Sequence, residues 1–235
     1  MAKKILTKSG VALLCAVAGS AQAAEITANA GWMSDYVFRG IYQADSAAMG
    51  GLDLKANGFY AGTWAADVDQ GLEVDLYGGY NGSIGDLTFG IGGTYYTYTD
   101  DFDDDYQELN LSLGYKIFSI SAAIGQYDNF DGPTGDGGEG SLDYVYVAPR
   151  VDYKGFYGLV GLFSQDFDTT YYEVGYGSQF EPIGLDYKVS LIHTDDTLIK
   201  DFEESESGET TLVFSISKTF RSEEHTSELQ SLSSI

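Results

Sequence analysis

Cysteine is almost absent from this chain, and its one copy, Cys15, lies in a short apolar stretch near the start. Disulfides and thiol chemistry are therefore excluded from the body of the protein. Only 3 prolines occur in 235 residues, so little interrupts extended strands, where proline would remove a ladder donor. Histidine is nearly as rare, with 2 copies. No His/Cys cluster offers metal ligands, and no glycine-rich phosphate loop is present. Basic residues number 12 against 36 acidic ones, which makes the chain a poor partner for nucleic acid: it would repel phosphate. Long hydrophobic runs are missing as well. A transmembrane helix needs about 20 consecutive apolar residues, whereas a tilted barrel strand needs only about 9–11, with every second side chain facing lipid.

What is present is alternation. Between Thr211 and Phe220, Leu212, Phe214, Ile216 and Phe220 share one face, while Thr211, Ser215, Ser217 and Thr219 share the other. Similar stretches recur along the chain, with abundant Tyr (19), Phe (13) and Gly (30) in place of a disordered composition. Period-two patterning and turn chemistry predict strands near 25–35, 49–57, 58–66, 71–81, 86–98, 106–116, 117–127, 142–153, 155–165, 169–180, 184–194 and 209–220. The expected fold is all-β, an antiparallel transmembrane β-barrel of about twelve strands, with ten as the alternative count. Tight connections are expected at Asn57-Gly58, Asn81 to Gly85, Lys116-Ile117, Lys154-Gly155 and Glu181 to Gly184. Longer or charged ones fall at Ile41 to Ala48, Asp67 to Gln70, Asp100 to Asp105, Asp128 to Ser141, Asp166 to Asp168 and Asp195 to Ser207. With both ends in the periplasm, all long acidic connections lie on the outer side.

Two terminal segments stand apart. Residues 1–23 have a basic start (Lys3, Lys4, Lys8), an apolar stretch from Val11 to Ala18 and a small-x-small signal at Ala21-Gln22-Ala23, and so read as a signal peptide preceding a mature start at Ala24. Residues 221–235 break the alternation abruptly and match the translation of a common sequencing adapter, an artefact that leaves Phe220 as the natural end. A terminal Phe after alternating apolar residues resembles the insertion signal of outer-membrane barrels, although Lys218 stands where that signal usually has an apolar residue. Without both segments 197 residues remain, with 8 of the 12 basic and 33 of the 36 acidic side chains, a net charge of about −25.

A soluble periplasmic barrel or sandwich would also alternate, but with its apolar face inward. Tyrosines clustered at strand ends (Tyr95, Tyr96 and Tyr98; Tyr144 and Tyr146; Tyr171 and Tyr172) favour the membrane form, where aromatic girdles sit at the interfaces.

Ser34-Asp35-Tyr36-Val37-Phe38-Arg39-Gly40-Ile41, followed by Gly58-Phe59-Tyr60-Ala61-Gly62-Thr63-Trp64, resembles the TorF-type porin family of Gram-negative outer membranes, and the likeness runs to Phe220. Where that family usually places an acidic or polar residue after Arg-Gly-Ile, this chain has Tyr42-Gln43. The resemblance implies an outer-membrane barrel and a porin-like role.

If the apolar parity faces lipid, the opposite parity places Glu73, Asp75, Glu108, Asp186 and Lys188 in the lumen, together with Arg150 and Asp152 unless Pro149 introduces a bulge. Asp35 and Arg39, four apart on a strand, are expected to share a face and to pair in the lumen or at its rim. These residues would line a water-filled path, or plug it with salt bridges. Acidic loop residues (Asp100, Asp101, Asp103, Asp104 and Asp105; Asp128, Asp131, Asp136 and Glu139) do not match calcium-loop spacing and read as solvated. Weak divalent binding that bridges them to lipopolysaccharide phosphates is the alternative. His193 has no assignable partner for nucleophilic catalysis, so no enzyme activity and no cofactor are expected. The expected function is passive diffusion of ions or small polar solutes, mildly cation-selective through the acidic mouth. A closed structural or surface-interaction barrel is the alternative. Expected partners are outer-membrane lipid, lipopolysaccharide, small solutes and, through the Phe220 end, the barrel-insertion machinery.

Overall fold

The structure, a computed structural model, describes residues 24–100, 102–128, 140–195 and 208–222. The expected signal segment and most of the expected adapter-derived tail lie outside these residues. Twelve strands form: β1 (Glu25–Phe38), β2 (Ile41–Ala56), β3 (Phe59–Asp67), β4 (Leu72–Ile84), β5 (Leu87–Tyr98), β6 (Tyr106–Tyr115), β7 (Phe118–Tyr127), β8 (Leu142–Tyr153), β9 (Phe156–Gln165), β10 (Thr170–Phe180), β11 (Leu185–Thr194) and β12 (Glu209–Arg221). Each pairs antiparallel with its sequence neighbours, and β1 pairs with β12 to close the barrel. The higher of the two strand counts holds. No described helix is long and apolar enough to cross a membrane.

Polarity across the wall distinguishes a membrane barrel from a soluble one. On β6, Leu109, Leu111 and Leu113 are exposed on the outside while Glu108 is buried inside. Leu52, Leu54, Leu76, Ile91, Ile124, Val174, Leu191, Leu212 and Phe214 extend the exposed apolar band around the barrel. Leaving such side chains in water forfeits roughly 1.5–3 kcal/mol each, so this surface requires lipid. The barrel spans a membrane with its polar parity inward.

One end of the barrel carries the tight turns. Asn57-Gly58 and Lys154-Gly155 have positive φ at both central positions (52° and 85°; 51° and 86°), the type I′ geometry that matches strand twist. A 3₁₀ turn, Glu181–Ile183, ends at a left-handed Gly184. The turn expected over Asn81 to Gly85 is instead Gly85-Asp86. Asn81 to Ile84 remain in β4, paired with β5 through Ile84↔Leu87, because glycine supplies the positive φ that Asn81 is not needed for. Pro149 shifts no register: β7 and β8 pair without a break from Phe118↔Val151 to Tyr127↔Leu142. At this end Phe59 packs on Tyr80 and Phe156 on Tyr176, and Lys116 and Lys154 sit over Tyr115 and Tyr153. This forms an aromatic girdle.

At the loop end the tyrosines depart from expectation. Tyr95 and Tyr172 are exposed on the outer wall, but Tyr96, Tyr144, Tyr146 and Tyr171 are buried inside. Their strands hold them on the inward parity, where they meet glycines of the neighbouring strand. A Cβ at Gly125 would overlap the ring of Tyr144, and one at Gly161 would overlap Tyr171, each pair being in direct cross-strand register. Gly62 with Tyr77 and Gly175 with Tyr157 repeat the arrangement. Much of the Gly and Tyr excess is therefore one device: rings laid flat along the inner wall over residues that have no side chain.

Candidate functional site

The first connection departs most from the alternation. Instead of a loop over Ile41 to Ala48, β1 and β2 continue as one hairpin that turns at Arg39-Gly40, where both residues have positive φ (50° and 84°). Pairing of β1 with β12 stops at Met33, and pairing of β2 with β3 begins only at Met49, while β1 and β2 stay paired with each other as far as Phe38↔Ile41. Residues 34–48 are thus a two-stranded ribbon whose ladder pairing with the wall ends on both sides, tied to it at its base by Phe214 N–H donating to Ser34 Oγ (2.9 Å), Ala48 N–H to Asp67 Oδ2 (3.0 Å) and Asp69 N–H to the Gln43 carbonyl (3.1 Å). A register shift at Tyr36/Val37 and a positive φ at Ser46 (62°) mark where the ribbon bends. It bends inward. The Gly40 carbonyl accepts from Thr194 Oγ1 of β11 (2.7 Å), and Tyr36 Oη donates to Glu73 Oε1 of β4 (2.6 Å). Phe38 packs on Tyr96 of β5 at 5.7 Å between ring centroids.

Arg39 crosses to the far wall. Its Nη1 and Nη2 donate to Glu108 Oε1 (2.5 Å) and Oε2 (3.0 Å), a bidentate pair with side-chain exposures of 16% and 0%. The guanidinium also lies over the rings of Phe38 (4.7 Å) and Tyr146 (4.3 Å). Glu108 accepts further bonds from Tyr144 Oη (2.6 Å), Tyr96 Oη (3.1 Å) and Asn110 Nδ2 (2.7 Å). A carboxylate so supplied with donors can stay charged without water.

The expected pairing of Asp35 with Arg39 is not formed. Asp35 lies opposite Asp45 on the ribbon and accepts from Ser34 Oγ (2.8 Å), because the turn at Arg39 ends strand parity before the two can share a face. Glu73 and Asp75 are buried on β4, where Glu73 Oε2 and Asp75 Oδ1 have no hydrogen-bond partner among the described residues. Arg150 pairs with Asp152 (2.7 Å) near the turn end, and Lys188 with Glu173 (3.2 Å). Asp186 accepts from Gln179 Nε2 (2.8 Å). Arg39, Glu73, Asp75 and Glu108 converge around the ribbon tip, while Arg150, Lys188 and Asp186 do not. His193 pairs with Thr210 Oγ1 (2.8 Å) on the outer wall.

The interior on either side of Arg39 differs. On the loop side is a cavity of ≈ 210 Å³ lined by Phe38, Tyr98, Phe102, Asp103, Tyr106 and Tyr127 among others; on the turn side is one of ≈ 250 Å³ lined by Tyr60, Asn81, Asn110, Ser112 and Ser121. Arg39 borders both and separates them. Asp103, read from sequence as part of a solvated loop, is turned inward and accepts from Tyr106 Oη (2.9 Å) and Tyr127 Oη (2.8 Å). Burial pushes its carboxyl above the usual Asp range, and the two hydroxyls oppose that push. Among the described residues no group of acidic, His or Cys side chains could hold a metal ion; Asp101, Asp131, Asp136 and Glu139 lie outside them.

A closed antiparallel barrel with an apolar exterior and a polar, partitioned interior defines a membrane-spanning β-barrel of porin-like fold. Residues 17–220 match the Gcw_chp family, described as bacterial protein of unknown function, and the chain belongs to that family. No curated protein matches it in sequence. Among solved structures it is similar to an outer membrane channel from Pseudomonas putida (12% identity, 86% of this chain and 97% of that one, TM-score 0.50). It is also similar to the NanC porin (12% identity, 83% and 98%, TM-score 0.50). A third likeness is to a membrane protein crystallised in meso (8% identity, 84% of each chain, TM-score 0.53). At these identities the likeness is one of fold.

Proposed function

We propose that this chain is an outer-membrane, porin-like diffusion channel for ions or small polar solutes, closed in the described conformation by the β1–β2 ribbon. The carrying observation is Arg39, which separates two interior cavities and is held across the lumen by Glu108. In this reading the tight turns face the periplasm and the acidic loops face outward. The mouth then concentrates cations through its summed field, and permeation leans toward them. The outer wall meets lipid and, at the loop end, lipopolysaccharide; the Phe220 end serves recognition for insertion. The TorF-type resemblance agrees with this assignment. Passive permeation needs neither cofactor nor covalent step. The test is single-channel conductance and reversal potential of the refolded chain in a planar bilayer. Brief, cation-leaning steps from a mostly shut state are expected, and a clear anion preference would remove the selectivity part.

The buried Arg39–Glu108 pair also favours a second reading, a permanently closed barrel acting through its loops. A folded, inserted protein that never conducts, even with the ribbon released, would establish that reading instead.

A further inference from the structure

We propose that the loop-end cavity above Arg39 is a binding site for a small organic cation with an apolar body, of the quaternary-ammonium class. Its walls are largely aromatic: the rings of Tyr98, Phe102, Tyr106 and Tyr127 line it, and Tyr98 packs with Phe102 at 5.6 Å and Tyr106 at 6.2 Å between centroids. The face of such a ring carries the negative side of its quadrupole. The one carboxylate in the lining is Asp103, which forms no ion pair among the described residues.

Charge and hydrogen-bond accounting select the ligand class. The Arg39 guanidinium in the cavity floor is neutralised by both oxygens of Glu108 and covered by two rings, so it offers little to an anion. Most of the lining hydroxyls that a sugar would need are already committed, those of Tyr106 and Tyr127 to Asp103, those of Tyr96 and Tyr144 to Glu108 and that of Tyr42 to Asp45. What remains for a guest is aromatic surface, the Gln43 amide and the Asp103 carboxyl, whose anionic form a bound cation favours. The volume, ≈ 210 Å³, exceeds the roughly 150 Å³ that accommodates benzene and suits a choline-sized ion. This binding stands apart from conduction, since it needs only the folded loop end.

The experiment is isothermal titration of the full chain, refolded in a nonionic polyoxyethylene detergent, with choline, with its neutral carbon isostere 3,3-dimethylbutan-1-ol, and with glucose. Saturable choline binding is expected, with the isostere weaker by about tenfold or more. Phe102→Leu should weaken choline by about fivefold, whereas Phe102→Tyr, which keeps the ring, should retain it. Asp103→Asn, which preserves an acceptor for the tyrosines, should reduce the preference for choline over the isostere. Equal binding of the isostere, binding of glucose in place of choline, or no saturable choline heat from a protein whose circular dichroism shows the β fold would overturn the assignment. None of these results depends on whether the barrel conducts.

Discussion

Replacing Arg39 by alanine perturbs the partition most directly. The substitution removes a bidentate ion pair in which the Glu108 side chain is fully buried and the Arg39 side chain is 16% exposed. Removing one partner of a buried pair costs about 3–5 kcal/mol. The lower end applies, because Glu108 keeps donors from Tyr144, Tyr96 and Asn110. Further bonds hold the ribbon, among them Tyr36 to Glu73, Thr194 to the Gly40 carbonyl and Asp69 N–H to the Gln43 carbonyl, each worth on the order of 1 kcal/mol. The wall itself is untouched, since its pairing of β1 with β12 and of β2 with β3 lies beyond the ribbon. The loss therefore falls on docking rather than on the barrel. At 1.4 kcal/mol per factor of ten, a 3 kcal/mol loss raises the undocked population about a hundredfold. Single-channel recording should show a matching rise in open probability, with β content by circular dichroism unchanged. Arg39→Lys should fall between, because an ammonium keeps the charge but loses the fork and the stacking on two rings. A folded, inserted Arg39→Ala protein whose open probability equals that of the parent would refute the reasoning.

Gly125→Ala should displace the Tyr144 ring and weaken its bond to Glu108, at a cost of about 1–3 kcal/mol, read as a lower melting temperature and more frequent opening. Because the Asp103 carboxyl is raised by burial, its contribution to stability is complete below the ordinary Asp pKa and is lost as pH rises through the elevated one. Thermal melting should therefore show a decline above the ordinary carboxylate range that Asp103→Asn lacks; identical pH profiles would contradict this. Lys188→Ala should change stability by less than about 1 kcal/mol, its partner Glu173 being reached by a half-exposed lysine, while shifting the reversal potential toward cations.

The wall was legible in the sequence because burial in lipid imposes a strict period of two. On β6, exposed Leu109, Leu111 and Leu113 alternate with buried Glu108 and half-buried Asn110, as the pattern predicts. What period two cannot show is where a strand leaves the wall. Arg39-Gly40 lacks the Asn or Asp that usually marks a type I′ turn, so the segment from Ile41 to Ala48 reads as a loop although its pattern continues a strand. The partners of Arg39 were equally hidden, since Glu108 is reached across the lumen by folding and not by spacing. The inward tyrosines were misread for a related reason: a Tyr at a strand end satisfies either a lipid girdle or an inner wall, and only its register opposite a glycine, as with Tyr144 and Gly125, distinguishes the two.

The most direct measurement is a side-by-side planar-bilayer recording of the parent chain and a variant in which residues 34–46 are replaced by a two-residue Asn-Gly turn, joining the paired residues Met33 and Ala47. The wall strands remain paired in that variant, so both proteins should insert. The account expects a mostly shut parent and a steadily open, cation-leaning variant. Equal currents from the two folded proteins would contradict the claim that the ribbon closes the lumen.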